Sequence, residues 1–186
     1  MGNLIYLMNV SLDGFIETPD RSLDWTTRDD ELHGWFNERL RSTEASVYGR
    51  RLFEVMNAHW PTADSDPAAT PVMLEFGRIW NAKPKVVVSR TMQEAPPGWR
   101  LTSGDPAAIL GELRRDFSGD IEIAGPTLAA GFIRRGLVDE YKLVVHPVIL
   151  GAGRPFFPAL ERPAGLRLLE TRTFPSGAVY LGYSAR

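Results

Sequence analysis

Four short stretches of this chain carry residues whose types and spacing could do chemistry, and all four suit an anionic ligand. In Gly49-Arg50-Arg51 a glycine permits close backbone approach, a helix start supplies unpaired N–H groups, and two guanidiniums can fork onto phosphate oxygens. Ser89-Arg90 places a hydroxyl and a guanidinium at a strand end, a pair suited to a terminal phosphate on a ribose. In Ala124-Gly125-Pro126-Thr127 the glycine opens space between a strand and a helix N-terminus that can hold a pyrophosphate. Ser11-Leu12-Asp13-Gly14-Phe15-Ile16 leads into Leu23-Asp24-Trp25, short enough to fold over a planar ring as a lid. Three of the stretches have a plainer reading beside this one: a solvated arginine pair, a turn with an exposed arginine, and an ordinary turn with Trp25 packed in the core.

Other chemistries lose support on residue content. The chain has no Walker A loop, HExxH, GxSxG elbow or complete GxGxxG. Its three histidines, His33, His59 and His146, lie far apart without metal-ligand spacing, so no metal is expected. Zero cysteines exclude disulfides, thiolate sites and a cysteine nucleophile and fit a reducing compartment, so the cytoplasm is the expected location. The 21 basic and 23 acidic residues give a net charge of −2 with no like-charge block, which leaves nucleic-acid binding without a footprint. No apolar run approaches the roughly 18 residues of a membrane span, and no targeting segment is read at the start.

These stretches need elements to hold them in place. A length of 186 residues and 44% hydrophobic content predict one compact domain with a proper core. Leu4 to Val10 reads as a central buried strand, and Leu32, Trp35, Phe36 and Leu40 mark an amphipathic helix behind acidic Asp29, Asp30 and Glu31. Ala45 to Tyr48 is a strand before a helix opened by Gly49, and residues 57 to 70 read as a surface loop. A helix from Thr70-Pro71, strands at Lys85 to Ser89 and Gly98 to Thr102, a helix from Asp105-Pro106, a strand at Asp120 to Ala124 and a helix from Thr127 to Arg135 continue the alternation. Tyr141 to Leu150 is the longest strand pattern, with Pro147 suggesting an edge or a bulge. Leu166 to Phe174 and Ala178 to Ser184 close the chain as an antiparallel hairpin around Pro175-Ser176-Gly177. The expected class is α/β: one domain, a central mixed and mostly parallel sheet flanked by helices, and a C-terminal antiparallel hairpin.

In this combination the chain resembles the dihydrofolate reductase-like superfamily, and within it the reductase domain of riboflavin-biosynthesis deaminase-reductases and their stand-alone relatives. The carrying stretches are NVSLDGFIE, VYGRRLFE, KVVVSRTM, DIEIAGPTLAAGFIRRGLVDEY and HPVILGAGRPFF, which occur in the family's order over nearly the full length. The resemblance implies NADPH as cofactor, lying across the C-terminal strand ends. Gly49, Arg50 and Arg51 would touch its phosphates, and Ser89 with Arg90 its adenosine 2′-phosphate. Gly125, Pro126, Thr127 and Leu128 would line the pyrophosphate and nicotinamide side, and Val10, Ile16 and Trp25 would flank the nicotinamide. It also implies hydride transfer to a C=N or C=O carbon of a small pyrimidine- or pterin-like heterocycle, with the proton coming from water or from Asp13, a residue type that more often caps a turn.

Two departures narrow the resemblance. Dihydrofolate reductases usually carry a glycine pair where Ala124-Gly125 stands, and Pro126 has no amide to donate. They also carry a carboxylate three residues before a Trp-Phe-type pair on the first helix. Leu32 occupies that place here, and Glu31 points about 100° round the helix, which argues against folate. A non-catalytic binder of a pteridine, flavin or drug on the same fold is the competing expectation, since fold does not settle function. A purely structural module is a third. Association into a homodimer through the terminal hairpin or the Tyr141 to Leu150 strand is also expected.

Overall fold

Alternating side chains on a strand can serve two helical layers at once, and the central strands of this chain are built that way. The computed structural model describes residues 2–27 and 29–186. Strand β1 (Leu4–Ser11) is mostly buried because it has a parallel neighbour on each side, β6 (Ile121–Ala124) and β7 (Glu140–His146). Beyond β6 lie β3 (Ala45–Gly49), β4 (Lys85–Val88) and β5 (Trp99–Thr102), all parallel. Beyond β7 the direction reverses with β10 (Val179–Ala185) and β9 (Leu166–Thr173), so the order is β5-β4-β3-β6-β1-β7-β10-β9. The sheet is mixed and mostly parallel, with an antiparallel hairpin at the C-terminal end.

On one face Leu4, Tyr6, Val47, Ile121 and Ile123 pack under α4 (Pro106–Asp116) and α5 (Pro126–Ile133), which contribute Leu110, Leu113 and Phe132. On the other face α1 (Asp30–Ser42), α2 (Arg50–His59) and α3 (Pro71–Ala82) cover Leu7, Tyr48, Val87 and Ala124 with Trp35, Leu40, Phe53 and Trp80. Each large side chain removed from water this way stabilises the fold by about 1.5–3 kcal/mol. Asp29 caps α1, accepting from the amides of Glu31 (2.8 Å) and Leu32 (3.3 Å), and its other oxygen accepts from Ser176 N in the terminal turn (2.9 Å). The start of α1 is thereby tied to the hairpin.

Two expectations are corrected, and one pairing was not foreseen. Residues 57 to 70 are not simply a surface loop: α2 runs to His59, a 3-10 helix spans Trp60–Ser65, and Ala63 is buried against Gly77 of α3. Polar turn residues hid this because only Trp60 and Ala63 face inward. Pro147 does not place β7 at an edge. The strand ends at His146, so the proline never enters the ladder, and the exposed edge is β9, with Leu168 and Leu169 in solvent. The turn after β1 continues into β2 (Phe15–Glu17), which pairs with β8 (Arg154–Pro155) in a separate two-stranded sheet. Gly153 makes that pairing feasible, because a Cβ there would lie 2.0 Å from Glu17 O. No helix among the described residues is long and apolar enough to cross a membrane.

Candidate active site

Parallel strands deliver their C-terminal ends to one rim, where open α/β sheets gather ligands. Tyr48 is paired with Ala124, so the next residues, Gly49 and Gly125, leave the sheet side by side. A Cβ on Gly125 would approach Gly49 N at 4.0 Å and Leu52 Cβ at 3.6 Å. Gly125 also holds φ +100°, ψ 119°, a conformation that side chains disfavour. Each glycine is the N-cap of a helix, α2 and α5, without a side-chain cap bond. The first amides of both helices therefore point into one place without intrahelical partners.

That place is a groove of about 340 Å³. Of the residues expected from sequence, it brings together Ile16, Gly49, Arg50, Arg51, Gly125, Pro126, Thr127 and Leu128. Leu23 from the lid stretch also lines it, and Met8, Glu17, Arg21, Leu52, Val55, Val88 and Arg154, which were not named as site residues from sequence, complete it. Pro126 at the first helical position offers no N–H, which leaves the amides of Thr127 and Leu128 as the donors of α5; Ala129 N already bonds Gly125 O at 3.0 Å.

Arginines surround the groove and are held differently. Arg51 forks onto Glu17 through two bonds of 2.9 and 2.8 Å, and Arg154 Nε reaches the same carboxylate at 3.1 Å. The guanidinium of Arg51 is therefore engaged by Glu17 on β2, which lies within its reach. Arg50 is more available: it is exposed, pairs with Glu54 one turn on, and donates to Thr91 Oγ1 at 3.1 Å. That last bond ties the start of α2 to the turn after β4.

Ser89 and Arg90 stand in that turn, just beyond Val88 at the outer end of the groove, without lining it. Ser89 Oγ accepts from the amides of Thr91 (3.2 Å) and Met92 (3.1 Å), and Arg90 is exposed. Two other expected residues lie elsewhere. Val10 is 1% exposed inside the core cluster beneath α4 and α5 and does not line the groove. Trp25 stands edge-on to His146, ring centroids 5.5 Å apart, because Thr27 N and Oγ1 bond His146 Nδ1 at 3.2 and 2.9 Å and draw this part of the lid toward β7.

Asp13 is engaged in a way that does not suit a proton donor. Its carboxylate accepts from Ser11 Oγ (2.6 Å), Leu150 N (3.1 Å) and Gly151 N (2.7 Å). The Ser11 hydroxyl and the two amides hold its pKa below the usual carboxylate value, so it stays charged and anchors residues 150 and 151.

Beside the groove, and sharing Met8, Ile16, Leu23, Leu52 and Val55 with it, is a cavity of about 290 Å³. Its floor is Leu7, Asn9, Tyr48, Glu122 and Ala124 from the sheet, and its roof comes from α1, α2, Trp60 and Phe76. Glu122 is an acidic side chain on a mostly apolar floor. Burial pushes its pKa up to about 7, while Lys83 and Lys142 pull it back. His33 lines the roof, its basicity lowered by burial, with Asp30 opposing. Sequence reading weighed His33 only as a metal ligand and did not single out Glu122, although a glutamate between two isoleucines in DIEIA was a readable signal.

Comparison with known proteins gives this geometry a family. Residues 3–180 match the RibD C-terminal domain family, and the chain belongs to it. Within that class, the uncharacterized protein YyaP of Bacillus subtilis (strain 168) is 32% identical over 181 residues, spanning 97% of this chain and 93% of the relative. Among solved structures, a protein from Shewanella sp. PV-4 assigned to riboflavin biosynthesis is similar at TM-score 0.77 and 23% identity, covering 99% of both chains. A diaminohydroxyphosphoribosylaminopyrimidine deaminase/5-amino-6-(5-phosphoribosylamino)uracil reductase from Thermotoga maritima is similar at 0.71 and 15%, covering 100% of this chain and 57% of that one. Dihydrofolate reductase from Enterococcus faecalis, complexed with NADP(H), is similar at 0.66 and 14%, covering 100% and 97%. The fold is thus that of dihydrofolate reductase-like domains.

Proposed function

We propose that this chain is an NADPH-dependent reductase that delivers hydride to a C=N or C=O carbon of a small heterocycle of pyrimidine or pterin type. One observation carries the reading: the glycine-capped N-termini of α2 and α5 converge on a single groove that opens beside an apolar cavity. Family membership and likeness to solved reductases, one of them holding NADP(H), support it.

The donor set fits a dinucleotide. Unpaired amides of Arg51, Leu52, Thr127 and Leu128 suit pyrophosphate oxygens, and a side chain at Gly125 would narrow the cradle toward Leu52. Arg50 adds a guanidinium, and Arg90 with the Ser89 hydroxyl suits a ribose phosphate, the group that separates NADPH from NADH. Reduced nicotinamide, when bound, supplies the hydride. Met8, Ile16, Leu23 and Leu52 line both groove and cavity and give the reacting edge an apolar surround. Asp13 keeps its structural bonds, and water supplies the proton that balances hydride addition.

Titration with NADPH and NADH, read by quenching of the five tryptophans and by the melting temperature, tests the reading. NADPH is expected to quench and stabilise more strongly than NADH, and Arg90→Ala to remove the preference. No response to either dinucleotide would overturn the reductase and favour a non-catalytic binder.

A further inference from the structure

Several polar side chains of the cavity beside the groove are bonded within the fold, while Glu122 and His33 are left without partners among the described residues. Asn9 Oδ1 meets His146 Nε2 at 2.8 Å, Thr26 Oγ1 donates to Leu23 O at 3.1 Å, and Tyr48 Oη accepts from Trp80 Nε1 at 3.1 Å. Among the described residues the Glu122 carboxyl has neither a hydrogen bond nor an ion pair, and buried His33 Nε2 has no partner. Lys142 is paired with Glu140 at 3.0 Å, and Lys83 donates to Thr43 O, so both lysines act on Glu122 only from a distance. Buried polar groups are normally bonded, and a carboxyl kept idle on an apolar cavity floor is a group awaiting a partner.

A protonated carboxyl sets an O–H donor beside a carbonyl acceptor, and an ionised one offers two acceptors. The protonated form matches a flat ring edge on which an N–H stands beside an sp² oxygen or nitrogen, and the ionised form matches an edge with two adjacent N–H donors, as in a protonated amidine. The cavity also fits a ring: Phe36, Trp60 and Phe76 line it, and its volume is that of a small ligand site. Met8, Ile16, Leu23, Leu52 and Val55 line both the groove and the cavity, so a ring held on Glu122 lies beside the groove assigned to the hydride donor.

We infer that Glu122 is the specificity-determining residue of this cavity, holding a planar heterocycle by a lactam or amidine edge, an inference that rests on the reductase reading for what happens to the ring. Glu122 lies on β6, in register with Ser46 of β3 and Ile5 of β1, so the sheet fixes its position. His33, from α1, is the second polar point across the cavity and sets how the far side of the ring is read.

The test uses isotope-labelled full-length protein, uracil and 2,4-diaminopyrimidine as probes, and 1,3-dimethyluracil as a ring whose N–H edge is blocked. Amide shifts are followed during titration of wild type, Glu122→Gln and Glu122→Leu, and NADPH affinity is measured on each. Uracil or diaminopyrimidine is expected to shift residues around the cavity, with dimethyluracil roughly tenfold weaker because it has no N–H to pair the carboxyl's acceptor oxygen. Glu122→Leu should lose binding by a similar factor. Glu122→Gln should retain uracil, which an amide can pair, more than diaminopyrimidine in its charged form. NADPH affinity should be unchanged in both variants. Equal binding of dimethyluracil, full binding by Glu122→Leu, or no binding of either probe to wild type would overturn the inference. Failure of wild type to bind NADPH would overturn the reductase reading while leaving the ring result interpretable.

Discussion

Arg51 grips Glu17 through both terminal nitrogens, Nη1 to Oε1 at 2.9 Å and Nη2 to Oε2 at 2.8 Å, across the mouth of the groove. The carboxylate side chain is 11% exposed and the arginine 41%, so the pair is screened on one side and contributes about 1 kcal/mol or less. It also competes with any phosphate for the same guanidinium. Glu17→Gln is expected to tighten NADPH binding several-fold with a small loss of melting temperature, since Arg154 loses a partner as well. Weaker binding in that variant would mean that Glu17 orients Arg51 for the ligand instead of occupying it.

Gly125 carries a conformational demand that no other residue type meets cheaply. At φ +100° a side chain costs about 1–3 kcal/mol, and its Cβ would stand 3.6 Å from Leu52 Cβ inside the cradle. Gly125→Ala should lower the melting temperature by about 2–4 °C for each kcal/mol lost. It should also weaken NADPH binding beyond what its stability loss explains. A variant that melts early yet binds NADPH normally would place the pyrophosphate elsewhere.

Asp13→Asn separates an anchor from an acid. The charged carboxylate receives Leu150 N and Gly151 N, and a neutral amide oxygen can serve only part of that load. Faster hydrogen exchange at residues 150 and 151 is expected, with turnover of any identified substrate nearly unchanged. Because the folded pKa lies below the ordinary 3.8, the anchoring is fully present above that value and is lost as pH falls through the lowered one. The Gly151 amide shift, followed against pH, should report a midpoint below 3.8.

Much of this was legible in the chain because local signals agreed with the global fold. The strand-glycine-helix order at Gly49 and Gly125 needs only short-range physics, and parallel pairing brings the two glycines side by side. Non-local relationships were not legible. Nothing near Glu17 in sequence announces that Arg51 and Arg154 meet on it, and the β2–β8 pairing joins residues far apart in the chain. The position of Trp25 was not legible for the same reason: it depends on Thr27 meeting His146, from β7. Glu122 was overlooked because a single polar residue in a strand reads as solvent-facing until the covering helices are known.

Glu122 also predicts how stability responds to pH. Its pKa rises from 4.5 in the open chain to about 7 in the fold, so between those values the folded protein holds the extra proton. Stability contributed by this group is therefore present below pH 4.5 and is lost as pH rises through 7. Tyr48 from β3, Lys83 before β4, Lys142 from β7 and His33 from α1 are the titratable groups facing it across the sheet and cavity. The buried histidines slope the other way. His33 and His146 have pKa values lowered from 6.5 by burial, so their contribution is lost as pH falls below that value. The wild-type profile alone mixes the two slopes, and the difference from Glu122→Gln isolates one. The variant should match wild type near pH 4 and exceed it in melting temperature at pH 8. A difference independent of pH would show that the carboxyl is ionised throughout, and with it that the cavity floor is wetter than its apolar lining implies.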